Sequence, residues 1–224
     1  MEDKFEEIVA TLSDKAALKQ HIHRSTVRVF QMLKTIAADM EQKLSERVAG
    51  IGHSVQTEFT EEGEFEFQLK LGEDVLMFSM LPNILTLGEG HVLSKSAYIQ
   101  EDPHRGFFGM ITIYNFMADS VRYNRLNDAG YLLARMMVNG EDHYYIEGIR
   151  QLYFMHPDIG ANVVNEANLR ELVQSAILLA VEEDLQAPTF QDIQVVPLSL
   201  KLQDQMAGTE KVGFQMKMES KKPS

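Results

Sequence analysis

The chain has 224 residues, with 21 Lys and Arg against 33 Asp and Glu and hence a formal net charge of −12. That balance argues against a general binder of nucleic acid or of anionic membrane, either of which needs a basic footprint. With 45% apolar and 24% charged residues, six prolines and no cysteine, the composition is globular, and disulfides, thiolate zinc sites and cysteine nucleophiles are excluded. The opening MEDKFEE is acidic where a secretory signal needs positive charge before an apolar stretch, and no apolar run approaches the roughly 18 residues of a membrane span, so a cytoplasmic chain is expected.

A short helix is expected over Asp3 to Leu12. A longer one follows from Ser13 to about Val48, where Pro and Gly are absent and Leu18, Ile22, Thr26, Val29, Leu33, Ile36, Met40 and Leu44 recur three and four apart. Ser13 with Asp14 suits an N-cap, and Gly50 and Gly52 end the element. Some 35 residues at 1.5 Å each make a helix on the order of 50 Å long, more than one compact domain covers, so part of the stripe is expected to meet a second chain.

From Ser54 the period becomes two. Phe59, Phe65, Phe67, Leu69 and Leu71 share one strand face, with Glu64, Glu66, Gln68 and Lys70 on the other, and Gly63 and Gly72 mark turns. Val75 to Met80 reads as a buried strand stopped near Pro82, followed by short strand-like pieces at Ile84 to Leu87 and Ala97 to Gln100. Phe107 to Met117 reads as a strand, and Asn139-Gly140 reads as a type I′ turn between strands Tyr131 to Val138 and His143 to Arg150. Helical spacing returns over Asn162 to Gln186, with Pro188 as its stop. A last hairpin is expected from Leu198, Leu200 and Leu202 to Val212, Phe214, Met216 and Met218.

The common enzyme signatures are absent: no Gly-rich phosphate loop, no GxSxG elbow and no HExxH helix. His21 and His23, two apart on a helix, cannot share an ion. The segments Glu101-Asp102-Pro103-His104 and Glu141-Asp142-His143 hold ligand types suited to a divalent ion, but acidic loop tips are the ordinary place for them and no metal or cofactor is assigned. Between Lys15 and Lys34 the long helix carries Lys15, Lys19, Arg24, Arg28 and Lys34 with no acid among them, and Arg24 and Arg28 share a face that suits an anionic partner, including another copy's acidic surface. Arg122, Arg125 and Arg135 with Asp119, Asp128 and Glu147 are expected to form a polar network around the central hairpin.

Two segments resemble known families. His156-Pro157-Asp158, followed by a helix, resembles the HPD signature of the J-domain co-chaperones over Gly148 to Glu183. In that family a basic amphipathic helix that docks on the chaperone precedes the tripeptide. Here HYYIEGIRQLYFM reads as strand and holds only Arg150, so the tripeptide is read as a turn. Glu66, Gln68 and Lys70 on one strand face, within a helix, three strands, helix, strand order, resemble the PD-(D/E)xK nuclease core, whose acid and lysine side chains hold a metal ion and orient water. The aspartate that precedes that motif has no counterpart here.

The expectation is therefore one α+β domain over residues 1–219 with a disordered tail at 220–224. A long N-terminal helix and a second helix in the C-terminal half pack on a large, mostly antiparallel sheet. The leading function is a non-catalytic, cytoplasmic binding or assembly protein, a homodimer whose contact includes Arg24, Arg28, Val29 and Leu33, with no membrane or nucleic-acid partner. The alternatives are a metal-dependent phosphodiesterase or nuclease and a sheet that binds a small ligand.

Overall fold

The computed structural model describes residues 2–50, 55–88 and 90–182. Nearly all of these fall in the first of the two units into which the chain divides, Met1–Ala180. The expected final hairpin, the Pro188 stop and the 220–224 tail lie outside the described residues.

Helix α1 (Glu2–Thr11) runs through a π turn (Leu12–Ala16) directly into α2 (Ala17–Val48). Two separate helices with an N-cap at Ser13 are thus corrected to one continuous element, and Ser13 lies inside the π turn. The turn accommodates one extra residue, which rotates everything before it by roughly 100° about the axis. Ile22, Thr26, Val29, Leu33 and Ile36 are buried, whereas residues 4–15 are exposed throughout.

Six strands follow: β1 (Thr57–Glu61), β2 (Glu66–Leu71), β3 (Asp74–Thr86), β4 (Phe107–Met117), β5 (Tyr131–Val138) and β6 (Tyr144–Gly148). They form one antiparallel meander in which every strand pairs with its neighbours in sequence. Gly72 has φ 64° in the two-residue β2–β3 loop, where a side chain would be strained. The strand expected to stop near Pro82 continues to Thr86. The sheet absorbs this proline, which lacks an N–H, with a register shift between Leu81 and Leu85. Ala97 to Gln100 is not a strand but α3 (Ala97–Glu101), because the Ser96 hydroxyl accepts the Ile99 N–H at 3.3 Å and caps it. A short helix α4 (Ala118–Arg122) follows β4. Helix α5 (Glu166–Glu182) starts where the Asn165 side chain accepts the Asn168 N–H at 2.9 Å.

The hairpin at Asn139-Gly140 exists but is not type I′. Neither residue has positive φ, and Asp142 instead has φ 61°. The Asn139 Oδ1 accepts the N–H groups of Glu141 and His143 at 3.0 Å each, which holds a three-residue loop. This loop sets the register so that Arg135 faces Glu147, not Tyr144 as the shorter turn would require.

Helices α2 and α5 bury one face of the sheet. Phe30 of α2 lies 5.2 Å from the Phe67 ring, which stacks on Phe78 at 4.5 Å, and Leu169, Leu172, Val173 and Ala176 of α5 join the same core. The tightest approach is at Gly109 of β4, where a Cβ would sit 1.9 Å from the Thr26 Oγ1 and 2.7 Å from its Cβ. The Thr26 hydroxyl donates back to the Ile22 carbonyl at 2.8 Å and is folded down against its own helix. Gly109→Ala is expected to destabilise the fold by at least about 1–3 kcal/mol, the range for overpacking a core, and to cost less in a Thr26→Gly background. Urea unfolding of the two singles and the double checks this, and an unchanged midpoint for Gly109→Ala contradicts it.

Candidate functional site

Three places on the described surface bring chemistry-bearing groups together. The first lies where the α3 segment meets the β5–β6 loop. Arg105 donates from Nε to Glu141 at 3.1 Å and from one terminal nitrogen to Glu101 at 3.0 Å and to the Tyr98 carbonyl at 3.0 Å. The Tyr98 hydroxyl donates to Glu141 at 2.7 Å and accepts from Asn139 at 3.0 Å, and its ring stacks on His143 at 4.6 Å. The two acidic segments considered for a divalent ion therefore do converge, but a guanidinium occupies the space between Glu101 and Glu141. Burial, with the Glu141 carboxylate adding to it, pushes the Tyr98 hydroxyl up to about 12. That keeps it a neutral donor. The cluster is closed on itself and ties two connections together.

The second place is the sheet face opposite the helices. Glu66, Gln68 and Lys70 share it, as their alternation requires, but they do not converge on one point. Glu66 accepts the Ser79 hydroxyl at 3.0 Å and Lys70 donates to Gln56 at 3.3 Å. Among the described residues no three His, Asp or Glu side chains are grouped to hold a metal ion. A cleft of about 300 Å³ opens there, with Glu58, Thr60, Gln68 and Lys70 on its sheet side and Val121 and Arg122 of α4 on the other. Further along the same face Arg135 is paired with Glu147, which also accepts from His91 Nε2 at 2.5 Å. The other members of the expected arginine network lie apart from the hairpin: Arg122 and Arg125 stack on Tyr123, and Asp128 accepts from Ser120.

The third place is the helical element itself. Val29 and Leu33 are 0% exposed beneath the chain's own sheet, so their side chains are core and offer no surface to a second chain. Arg28 is half exposed and paired with Asp142 at 2.5 Å, which fastens α2 to the β5–β6 loop, and Arg24 is exposed. The exposed apolar stripe lies instead on α1, where Phe5, Ile8, Val9 and Leu12 are 64%, 55%, 41% and 61% exposed. Their i, i+3, i+4, i+7 spacing is legible in the sequence, but the stripe of α2 is longer and carries the stronger helical signal.

The tripeptide His156-Pro157-Asp158 forms a turn: the Asp158 carboxylate accepts the Gly160 N–H at 2.9 Å. His156 has φ 51°, not the extended backbone expected before proline, and its ring packs against Tyr144 at 5.4 Å with Nε2 3.6 Å from Glu171. The strand before it stops at Gly148 and a 3₁₀ turn covers Arg150–Phe154, so HYYIEGIRQLYFM is strand only in its first half. Comparison with family models, with curated proteins and with solved structures finds no match for this chain.

Burial works against the charge of Glu147, but the hydrogen bonds from Arg135 and His91 outweigh it and hold its carboxyl below the ordinary value of 4.5. A carboxylate depressed on folding stabilises the fold above its unfolded value and stops doing so as pH falls through the folded one. Wild type is therefore expected to exceed Glu147→Gln in stability at neutral pH by a margin that shrinks below about pH 4.5. Thermal melts of both proteins between neutral and acid pH check this, and a margin that grows toward acid reverses the sign.

Proposed function

We propose that this chain is a non-catalytic, cytoplasmic binding or assembly protein that acts through protein–protein contacts, and that α1 is its contact face. One observation carries the reading. Four large apolar side chains stand in solvent on one face of a helix that packs on nothing of the described sheet, where a monomer ordinarily scatters such residues singly. As a continuation of α2 these ten residues need no nucleation of their own, but the described sheet adds no packing to them.

The second reading is a small ligand in the outer-face cleft, favoured by the two cations, Lys70 and Arg122, that reach it from opposite walls. The metal-dependent phosphodiesterase reading has less support, because Glu66 is committed to Ser79 and among the described residues no three His, Asp or Glu side chains are grouped to hold a metal ion.

If α1 is a contact face and not core, Ile8→Asp with Leu12→Asp is expected to leave unfolding free energy within about 0.5 kcal/mol per site, as at ordinary surface positions. The same variant should lower the fluorescence of a bound apolar dye. Chemical denaturation with far-ultraviolet dichroism decides the matter. A loss of several kcal/mol, the scale of a core substitution, makes α1 part of the core and ends the reading.

A further inference from the structure

We infer that the partner of the α1 stripe is a second copy of this chain, laid antiparallel so that Phe5 of one copy packs on Ala16 of the other and Val9 packs on Leu12. This rests on the reading of α1 as a contact face. It goes further in naming the occupant and its direction.

The register follows from spacing. Phe5, Val9, Leu12 and Ala16 recur at intervals of four, three and four, the d and a positions of a heptad, with Ile8 flanking. In an antiparallel pair the d positions of one helix meet the a positions of the other, which sets Phe5 on Ala16 and Val9 on Leu12 in four layers related by a two-fold axis. Ala16 is half-buried and small, and so accepts the Phe5 ring where the helix reaches the sheet. The π turn keeps Leu12 and Ala16 on one face, since residues four apart remain neighbours in it.

The direction follows from charge. Residues 2–14 hold Glu2, Asp3, Glu6, Glu7 and Asp14 against Lys4 alone, whereas residues 15–34 hold five cations and no acid. A parallel pair would set the acidic segments side by side. The antiparallel one carries each acidic segment toward Lys15 and Lys19 of the other copy, both exposed. This also gives a use to cations that the fold leaves in solvent. Four layers of one short helix cover less than the roughly 800 Å² per partner of an ordinary interface, so the pair is weak and reversible. Attraction between exposed charges is screened over about 8 Å at physiological salt, so dissociation rises with salt.

The chain has no cysteine, so single cysteines report on geometry directly. Phe5→Cys and Ala16→Cys are each oxidised alone and as an equimolar mixture. The expected result is a disulfide dimer from the mixture only. Two copies of position 5 would be about 16 Å apart, eleven residues along the axis, beyond the roughly 7 Å limit between bridged Cα atoms. Sedimentation of the wild type from micromolar to millimolar concentration is expected to show a monomer–dimer equilibrium, weakened at least tenfold in Ile8→Asp with Leu12→Asp and weakened by added salt. A wild type that stays monomeric overturns the self-pairing while leaving α1 as a contact face for another protein. A dimer that survives in the double variant places the interface elsewhere. Phe5→Cys bridging to itself, or a dimer strengthened by salt, overturns the antiparallel arrangement. Failure of the contact-face reading itself shows separately, as loss of folding stability in the double variant.

Discussion

Everything in this fold depends on how closely α2 lies on the sheet. Thr26 rests on the bare backbone of Gly109, and four residues further along Phe30 reaches Phe67, which stacks on Phe78. With the helix pressed this close, the aromatic rings of three elements pack against one another, and dispersion contacts add to the area removed from solvent. Polar ties then fix the helix, between His21 and Lys34, at two margins of the sheet. His21 meets the Gly140 carbonyl at 2.8 Å and Arg28 meets Asp142 at the β5–β6 loop, while Lys34 reaches Glu61 at the end of β1 at 3.1 Å. The helix thereby spans the meander from one margin to the other, and the residues before it extend beyond what the sheet covers.

Much of this was legible in the residues, and what was not has physical causes. The alternation of β2 announced a half-buried strand, Phe107 to Met117 was legible as a strand, and the spacing of Leu169, Leu172, Val173 and Ala176 announced the buried face of α5. The π turn was not legible, because Ser13 and Asp14 carry the chemistry of a cap and nothing local says that the helix runs through them. At Asn139-Gly140 the dipeptide named the place of the turn but not its type. The geometry came from the Asn139 side chain, which holds two backbone N–H groups, and from Asp142, which takes the left-handed conformation and meets Arg28 from 114 positions away in the chain. A long-range partner of that kind has no local signature.

Long-range partners decide the candidate sites in the same way. Acidic segments at 101–104 and 141–143 have the composition of metal ligands, and they do approach each other. What lies between Glu101 and Glu141 is Arg105, whose fork of donors neutralises both carboxylates and is always charged. Val29 and Leu33, expected at a partner surface because the helix is long, are fully buried in the chain's own core. The overhang is real but lies at the other end of the element, on α1, and the apolar face there is displaced from that of α2 by the inserted residue of the π turn.

The division of one continuous helix into a part that the sheet holds and a part that association holds is the central claim, and amide hydrogen exchange read segment by segment at several protein concentrations tests it most directly. The account predicts that amides of residues 22–40 are strongly protected at every concentration. Amides of residues 4–12 are predicted to exchange fast when dilute and to slow as concentration rises. Equal protection of both segments at all concentrations would contradict it by making α1 part of the core, and fast exchange of α1 at every concentration would contradict it by leaving the exposed stripe without association.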